Sequence, residues 1–451
     1  MGKSDMRDLT TGPVAKKLYR FALPIIFTNL LQAIYNVVDM IIVGQFLGAE
    51  GLAAATVGGQ ISAIVLVVVL AYSNAEAVLV GQMSGAGNRA GIAKAVNSML
   101  VFAVIVSLCI TAVVIGFSGP LLHGLNVEEV AYAGTRNYLV VYMLGTVFVY
   151  IYNALYGMLR GIGESTAPLI FAIISTITNL ALDIILVGYT PLGTAGAALA
   201  TVVSQIFSVV MMVIFIKKKV TVFRFSRKEF RIDPMCLGQL IKIGLPQMCQ
   251  FVLTNVSFIL IGALINSYGV ASTAAAGAAN RIYNIGILPG QAVMSGIITM
   301  TAQNIPGKNY KRIYSGVGAG MILTLIVGFA LMVVCQFLPE QLLGLFTNEA
   351  DVIAIGVPFM RILVWAFIVE NIMFCFFGLL TGAGYTHITM ISAMSGAFII
   401  RLAFSHILTR FSPLEFNGIA LAYVLAPCLS IAIAGLFTLS GRWKKPRVKT
   451  Q

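Results

Sequence analysis

"MLRGIGESTAPLI" at residues 158–170 and "LLTGAGYTHITMI" at 379–391 are one pattern written twice. In each, an apolar helix runs into a Gly-x-Gly turn and a second apolar helix begins a few residues later. The copies lie 221 residues apart, and the spacing recurs along the chain. "FALP" at 21–24 answers "IGLP" at 243–246, and "AAA" at 53–55 answers 274–276. Gln82 and Asn88 answer Gln303 and Asn309, so all offsets are 221 or 222. One offset held from the first helix to the fifth makes the chain a duplication.

What repeats is apolar. Of 451 residues, 59% are hydrophobic and 10% charged, with mean hydropathy +0.94. A soluble chain carries about 25% charged residues. Twelve apolar segments stand out: 18–44, 52–83, 94–117, 136–159, 167–188, 194–216, 240–266, 272–302, 313–337, 357–381, 388–408 and 417–440. Roughly 20 apolar residues in a helix cross a bilayer core of about 30 Å. Backbone groups in lipid must be satisfied within the segment, which favours helices. The first run is too long for a signal core and lacks a small-residue cleavage site, so it reads as the first transmembrane helix. The expectation is an all-α integral membrane protein of twelve transmembrane helices. They form two six-helix lobes, residues 1–216 and 240–451, joined by a basic linker at 217–239. Six helices per repeat is an even number. Both halves then enter from the same side, related by a pseudo-twofold axis along the membrane normal. Two such lobes leave a central cleft suited to alternating access.

The formal charge of +13 follows the positive-inside rule. Lys3, Arg7, Lys16, Lys17, Arg20, Arg89, Lys94 and Arg160 fall on one side. The central linker, Lys308, Lys311, Arg312, Arg442, Lys444, Lys445, Arg447 and Lys449 fall there too. Glu50, Glu128, Glu129, Glu340, Glu349, Asp351 and Glu415 fall on the other. This places both termini in the cytoplasm of a multi-pass protein of the cell (inner, cytoplasmic) membrane. The basic excess needs no nucleic-acid partner; the partners expected are membrane lipid and a small molecule, and the chain reads as a monomer.

Enzyme signals are weak. Cys109, Cys236, Cys249, Cys335, Cys375 and Cys428 form no CxxC pair, and His123, His387 and His406 are isolated. There is no HExxH and no GxxxxGK[ST] loop, so neither a zinc protease nor direct use of ATP is indicated. A lipid-modifying transferase would need a nucleophile, metal or acid–base set at one interface, and none is found. No cofactor is expected.

Four acids lie inside the spans: Asp39, Glu76, Asp183 and Glu370. Each costs about 2.5–3.5 kcal/mol on insertion scales, so such groups face protein or water and mark ion or substrate paths. Asp39, in "IYNVVDMIIVG" at 34–44, and Asp183, in "TNLALDIILVG" at 178–188, each sit five residues before the outer end of their helix. Those helices run the same way, so the two carboxylates share a depth. Tyr35 and Asn179 lie four residues before Asp39 and Asp183 and share their helix faces. Thr201 enters its helix from the outside and reaches a similar level. Such a group can hold a hard cation such as Na⁺ or store a proton between two carboxylates; the residue types leave both open. Glu370, beside Asn371, would face the cleft or pair with Arg401. Glu76, near the inner end of its helix, would reach water by local bending. Arg281 and Arg361 lie near outer helix ends and would snorkel. Pro24, Pro246 and Pro289, the last in "LPGQ" at 288–291, mark flexing points.

The combination resembles the MATE (multidrug and toxic compound extrusion) family. The residues that carry it are Pro24 and Asp39, "VGQMSGAGN" at 80–88, "LRGIGEST" at 159–166, and Asn179 with Asp183. The likeness covers residues 14 to 440. It implies two six-helix lobes that export organic, often cationic, compounds in exchange for inward H⁺ or Na⁺. It also implies that Tyr35, Asp39, Asn179, Asp183 and Thr201 bind the coupling cation. Glu370 stands where NorM-like members carry a second-lobe acid. Those members have a Glu about two turns after the second-half proline; this sequence has Thr254 and Asn255 there, as in the DinF-like and MepA-like branches. A flippase of lipid-linked oligosaccharides, in the wider superfamily, is the alternative. It would want a cleft rich in Arg or Lys, whereas the first-half candidates are acidic.

Overall fold

The computed structural model describes residues 8–220, 230–445, 447 and 448. Lys3, Arg7, Lys449 and the 221–229 part of the basic linker lie outside them. Among the described residues the chain is helical, with no strand. Eleven helical runs are long and apolar enough to cross a membrane. The first, Val14–Gly85, is two helices that meet at Gly48, which makes twelve. Gly48 has φ 67° and ψ −163°, a left-handed conformation that favours glycine, so the chain turns there with almost no loop. The helices are α1 (residues 14–47), α2 (residues 49–85), α3 (Arg89–Gly116), α4 (Glu129–Gly161), α5 (Thr166–Gly188) and α6 (Thr194–Lys219). The second set is α7 (Pro234–Asn266), α8 (Val270–Asn304), α9 (Tyr310–Phe337), α10 (Ala350–Gly382), α11 (Thr386–Phe411) and α12 (Asn417–Leu439).

Several helices begin earlier than their apolar cores. α4 starts at Glu129 and α7 at Pro234, because polar residues at membrane edges continue a helix as readily as apolar ones. α7 has a built start. Asp233 Oδ1 accepts from the Met235 and Cys236 backbone N–H groups at 3.1 and 3.0 Å. The Asp233 N–H donates to Ser98 Oγ of α3 at 2.8 Å, and Lys94 lies 3.3 Å from its carboxylate. The Cys236 N–H, with Lys94 beside it, holds the Asp233 carboxyl below the usual carboxylate range. α10 is interrupted at Val364–Trp365, and α11 is π-helical over Ser395–Phe404. Pro289 sits inside an uninterrupted α8.

The chain forms two compact units. One contains Phe27–Gly244; the other contains the chain from Leu245 together with the beginning of α1, up to Ile26. The first helix of each half is therefore divided between the units, and each division falls within two residues of its proline, Pro24 or Pro246. Within the first unit α4 and α6 approach closely: a Cβ at Gly145 would stand 2.1 Å from a Val202 methyl. Small residues at such crossings bring helix backbones together where lipid supplies no hydrophobic driving force. The second unit packs around Tyr283, Phe359, Phe367 and Tyr423.

Candidate functional site

Tyr35 and Asp39 lie one turn apart on α1, Asn179 and Asp183 one turn apart on α5, and Thr201 on α6. The structure brings all five together. Asp183 is fully buried and Asn179 nearly so. With its amide oriented to satisfy its neighbours, Asn179 donates to Asp183 Oδ2 at 2.9 Å and to the Tyr35 hydroxyl at 3.0 Å. Its carbonyl oxygen accepts the Thr201 backbone N–H at 3.0 Å. Asn179 thus ties α1, α5 and α6 with one side chain.

The two carboxyl groups are close enough to interact directly. Two carboxylates this close repel when both are ionised, which makes the pair a natural place for one proton or one cation. The remaining oxygens, Asp39 Oδ1 and Asp183 Oδ1, are buried without a hydrogen-bond partner. Tyr138 of α4 packs against Val43, Val187 and Ala197, close to both acids. The sequence reading missed it. Its signal was the four-residue spacing to Tyr142 on the same helix, which stacks on it at 6.2 Å. Among the described residues no group of three or more His, Cys, Asp or Glu could hold a metal. The arrangement can take up a proton, or offer its two free carboxylate oxygens to a hard monovalent cation.

Glu370 and Asn371 are neighbours in sequence with separate surroundings. Glu370 accepts the Tyr283 hydroxyl at 2.5 Å and lies in the field of Arg401. Arg401 is 7% exposed, its guanidinium 4.3 Å from the Phe258 ring and 5.2 Å from that of Tyr423. The π-helical turn of α11 carries it there. Side chains satisfy two of that turn's carbonyls: Ser257 Oγ donates to Ala397 at 3.1 Å and Ser405 Oγ to Arg401 at 2.5 Å. Asn371 donates to the Thr324 carbonyl at 3.0 Å and fills gaps left by Gly290 and Gly328. Asn255 is exposed and donates to Phe251 O of its own helix at 2.8 Å, apart from Glu370. Glu76 is the clear correction. It does not reach water by bending; it is 0% exposed, packed against α4, because Gly157 leaves room for its carboxylate. Arg281 and Arg361 are exposed, as snorkelling residues are.

A family model described as MatE matches residues 24–185 and again 246–407, the same repeat that the Gly-x-Gly turns mark. The chain belongs to the MatE family. Relatives extend the likeness over the whole length. "Probable multidrug resistance protein YpnP" of Bacillus subtilis is 27% identical over 98% of this chain and 99% of its own. "Multidrug export protein MepA" of Staphylococcus aureus is 24% identical over 87% of each. Solved structures carry the same fold at 18% identity. An outward-facing multidrug resistance MATE family transporter of the MOP superfamily matches with TM-score 0.90, over 96% of this chain and 97% of its own. A MOP superfamily transporter from Pyrococcus furiosus matches with TM-score 0.91, over 99% of both. As a MatE member with twelve membrane helices in two lobes, the protein is a multi-pass transporter of the cell membrane and not an enzyme.

Proposed function

We propose that the protein exports organic, often cationic, compounds and that inward H⁺ drives the export through Asp39 and Asp183. The single observation that carries this reading is the close juxtaposition of the half-buried Asp39 carboxyl with the fully buried Asp183 carboxyl, since two neighbouring carboxylates repel when both are ionised and so favour a shared proton. The named relatives, multidrug export and resistance proteins, support the cargo class. A ligand shifts a two-state balance only by its differential affinity for the two states. The pair supplies that difference, because Asp39 and Tyr35 ride on α1 while Asn179, Asp183 and Thr201 ride on α5 and α6. A second proton abolishes the remaining negative charge and changes what Asn179 and Tyr35 bond. α1 then moves about its passage between the units, near Pro24; Pro246 gives α7 the same freedom, and Pro289 is a flexing point inside α8. Glu370, held by Tyr283 and facing Arg401, is charge-compensated and takes no coupling ion; Asn371 and Asn255 serve packing and the α7 backbone. All the pair's partners come from one chain, so a monomer suffices. Both termini lie on the cytoplasmic side, where Lys and Arg concentrate.

The test is uptake of ethidium, a fluorescent organic cation, into inverted membrane vesicles, with pH and Na⁺ gradients imposed separately. Uptake that follows the pH gradient and is lost in Asp39→Asn is expected. Full uptake in Asp39→Asn, or uptake that follows Na⁺ alone, contradicts the reading.

A further inference from the structure

The chain just ahead of α1 is clasped by the second unit. Residues 8–13 form no helix, so their backbone carbonyls have no ladder to join and need other donors. One side chain supplies three of them. Arg312, at the start of α9, donates from Nε to the Leu9 carbonyl at 2.8 Å, from Nη1 to that of Gly12 at 2.7 Å and from Nη2 to that of Thr11 at 2.5 Å. Gln303 and Asn304, at the end of α8, hold the other side: the Leu9 N–H donates to Gln303 Oε1 at 2.9 Å, and Asn304 Nδ2 donates to the Leu9 carbonyl at 3.2 Å. Leu9 is 1% exposed, in the apolar core that includes Ile305 and Ile313. Gly12, at φ 69°, makes the turn into α1, and Lys17 Nζ closes it on the Asp8 carbonyl at 2.5 Å. The first turns of α1 continue the contact. The Tyr19 hydroxyl donates to the Ala319 carbonyl of α9 at 2.9 Å, and Gly296 of α8 leaves room for a Leu18 methyl that a Cβ would meet at 2.9 Å.

All these partners belong to the same compact unit as the first residues of α1. α7 begins in the same way inside the other unit. Asp233, just ahead of it, donates its N–H to Ser98 of α3 and lies 3.3 Å from Lys94. The first helix of each half thus starts fixed on one unit and continues, near its proline, in the other. The two fixings differ in strength of design. That of α7 is one backbone bond and one exposed ion pair, whereas that of α1 is a fork of three bonds with two amide side chains beside it.

We propose that Arg312 is a positioning residue for transport: it holds the start of α1 on the second unit through the whole cycle, so that a change at the Asp39–Asp183 pair bends α1 near Pro24 instead of sliding it as one rod. This rests on the proton-coupled reading above and adds the fixed point that reading needs. Asp39 lies 15 residues beyond Pro24, about 22 Å along a helix. A helix free at its start could follow Asp39 as a rod and leave the second unit unchanged. A helix fixed at its start takes up the movement at its weakest point and passes it to the unit that holds it. Coupling between sites needs such an element, with two arrangements that both sites bias. Only a guanidinium suits the fixing. Its planar fork reaches three carbonyls at once, whereas a Lys ammonium is a point donor.

The test uses purified full-length protein, with ethidium as cargo. Three quantities are read: ethidium transport into liposomes driven by a pH gradient, ethidium affinity in detergent, and deuterium uptake by the backbone amides of residues 9–12 with and without ethidium. Arg312→Gln stays polar and loses the fork. It is expected to slow driven transport about tenfold, to leave affinity within about twofold and to raise deuterium uptake over residues 9–12. Arg312→Lys keeps only the charge and is expected to behave like Arg312→Gln. Lys311→Gln removes the same charge one residue away and is expected to transport at the native rate. In the native protein deuterium uptake over residues 9–12 is expected to be low and the same with and without ethidium. If Arg312→Gln yields no folded protein, Gly12→Ala carries the test, since its positive φ disfavours a Cβ and loosens the clasp from the chain side. It is expected to slow driven transport about threefold at unchanged affinity. Native-rate transport with the clasp loosened overturns the proposal. So does full transport in Arg312→Lys, or a loss in Lys311→Gln as large as in Arg312→Gln, since either makes charge alone sufficient. Faster deuterium uptake by the native clasp when ethidium binds overturns it too, and equal loss of transport and affinity marks a structural role instead. Asp39→Asn in the same assay separates the two readings. If it transports normally, proton coupling through the Asp pair fails. If it alone loses driven transport, only the fixed point at Arg312 fails.

Discussion

Replacing Arg401 with Met removes the positive charge that faces Glu370 and keeps an apolar stem of similar reach. Two losses follow. The guanidinium lies 4.3 Å from the Phe258 ring and 5.2 Å from the Tyr423 ring, and desolvated cation–π contacts of this kind are worth about 1–2 kcal/mol each. Breaking a buried contact ion pair costs about 3–5 kcal/mol; Arg401 Nε and Nη1 have no hydrogen-bond partner and act on Glu370 only through space, so removing Arg401 should cost less on this account, about 2–3 kcal/mol. Glu370, nearly fully buried, is the charge left behind. Adding Glu370→Gln removes it while Oε1 still accepts the Tyr283 hydroxyl, a bond of 2.5 Å in the native protein. The double variant should then lose mainly the ring contacts and be about 2–3 kcal/mol more stable than Arg401→Met alone. At about 2–4 °C per kcal/mol for a unit of some 200 residues, the double variant should melt roughly 5–10 °C above the single. Loss of the monodisperse gel-filtration peak on heating in detergent, at one heating rate, reads the order. The expected order is native, then double variant, then Arg401→Met. A double variant that melts below Arg401→Met, with the two losses simply adding, would refute the compensation argument.

Two further expectations follow from the packing and the helix ends. Gly145→Ala places a methyl 2.1 Å from a Val202 methyl and should destabilise by about 1–3 kcal/mol; Val202→Ala added to it removes the two closest contacts but leaves Val202 Cβ at 2.8 Å, so it should restore part of that loss in the same heating assay. Asp233→Asn should remove part of the α7 cap, about 1 kcal/mol or less, at neutral pH. Because the native Asp233 carboxyl lies below its ordinary range, its contribution is present above the unfolded value and fades as pH falls through the native one. Native and variant melting temperatures should therefore converge on acidification below about pH 4; a constant gap across that range would remove Asp233 from the account.

The helix count, the duplication and the five residues around Asp39 were readable because each rests on a local period. Turns and apolar runs repeat at one offset, and Tyr35–Asp39 and Asn179–Asp183 are each one helical turn. What escaped depends on how helices cross. Glu76 looks like a helix-end acid along the sequence, but Gly157 on another helix decides that it is enclosed. Tyr283 lies 87 residues from Glu370, and no local spacing links them. The π-helical turn that delivers Arg401 is satisfied by Ser257, 140 residues away from Ala397. The division of α1 and α7 between the units leaves only a proline as its trace. Pro289, a residue of the same type, lies in an unbroken α8, so the proline alone does not tell the two cases apart.

The central claim is that Asp39 and Asp183 exchange a proton against cargo. It is tested most directly by adding ethidium to purified protein in weakly buffered solution and reading released protons with a pH indicator. Reciprocal linkage requires that if a proton weakens cargo binding, cargo must expel the proton. The native protein should release about one proton per ethidium bound, while Asp39→Asn and Asp183→Asn should bind ethidium and release almost none. Undiminished proton release from both variants would contradict the account.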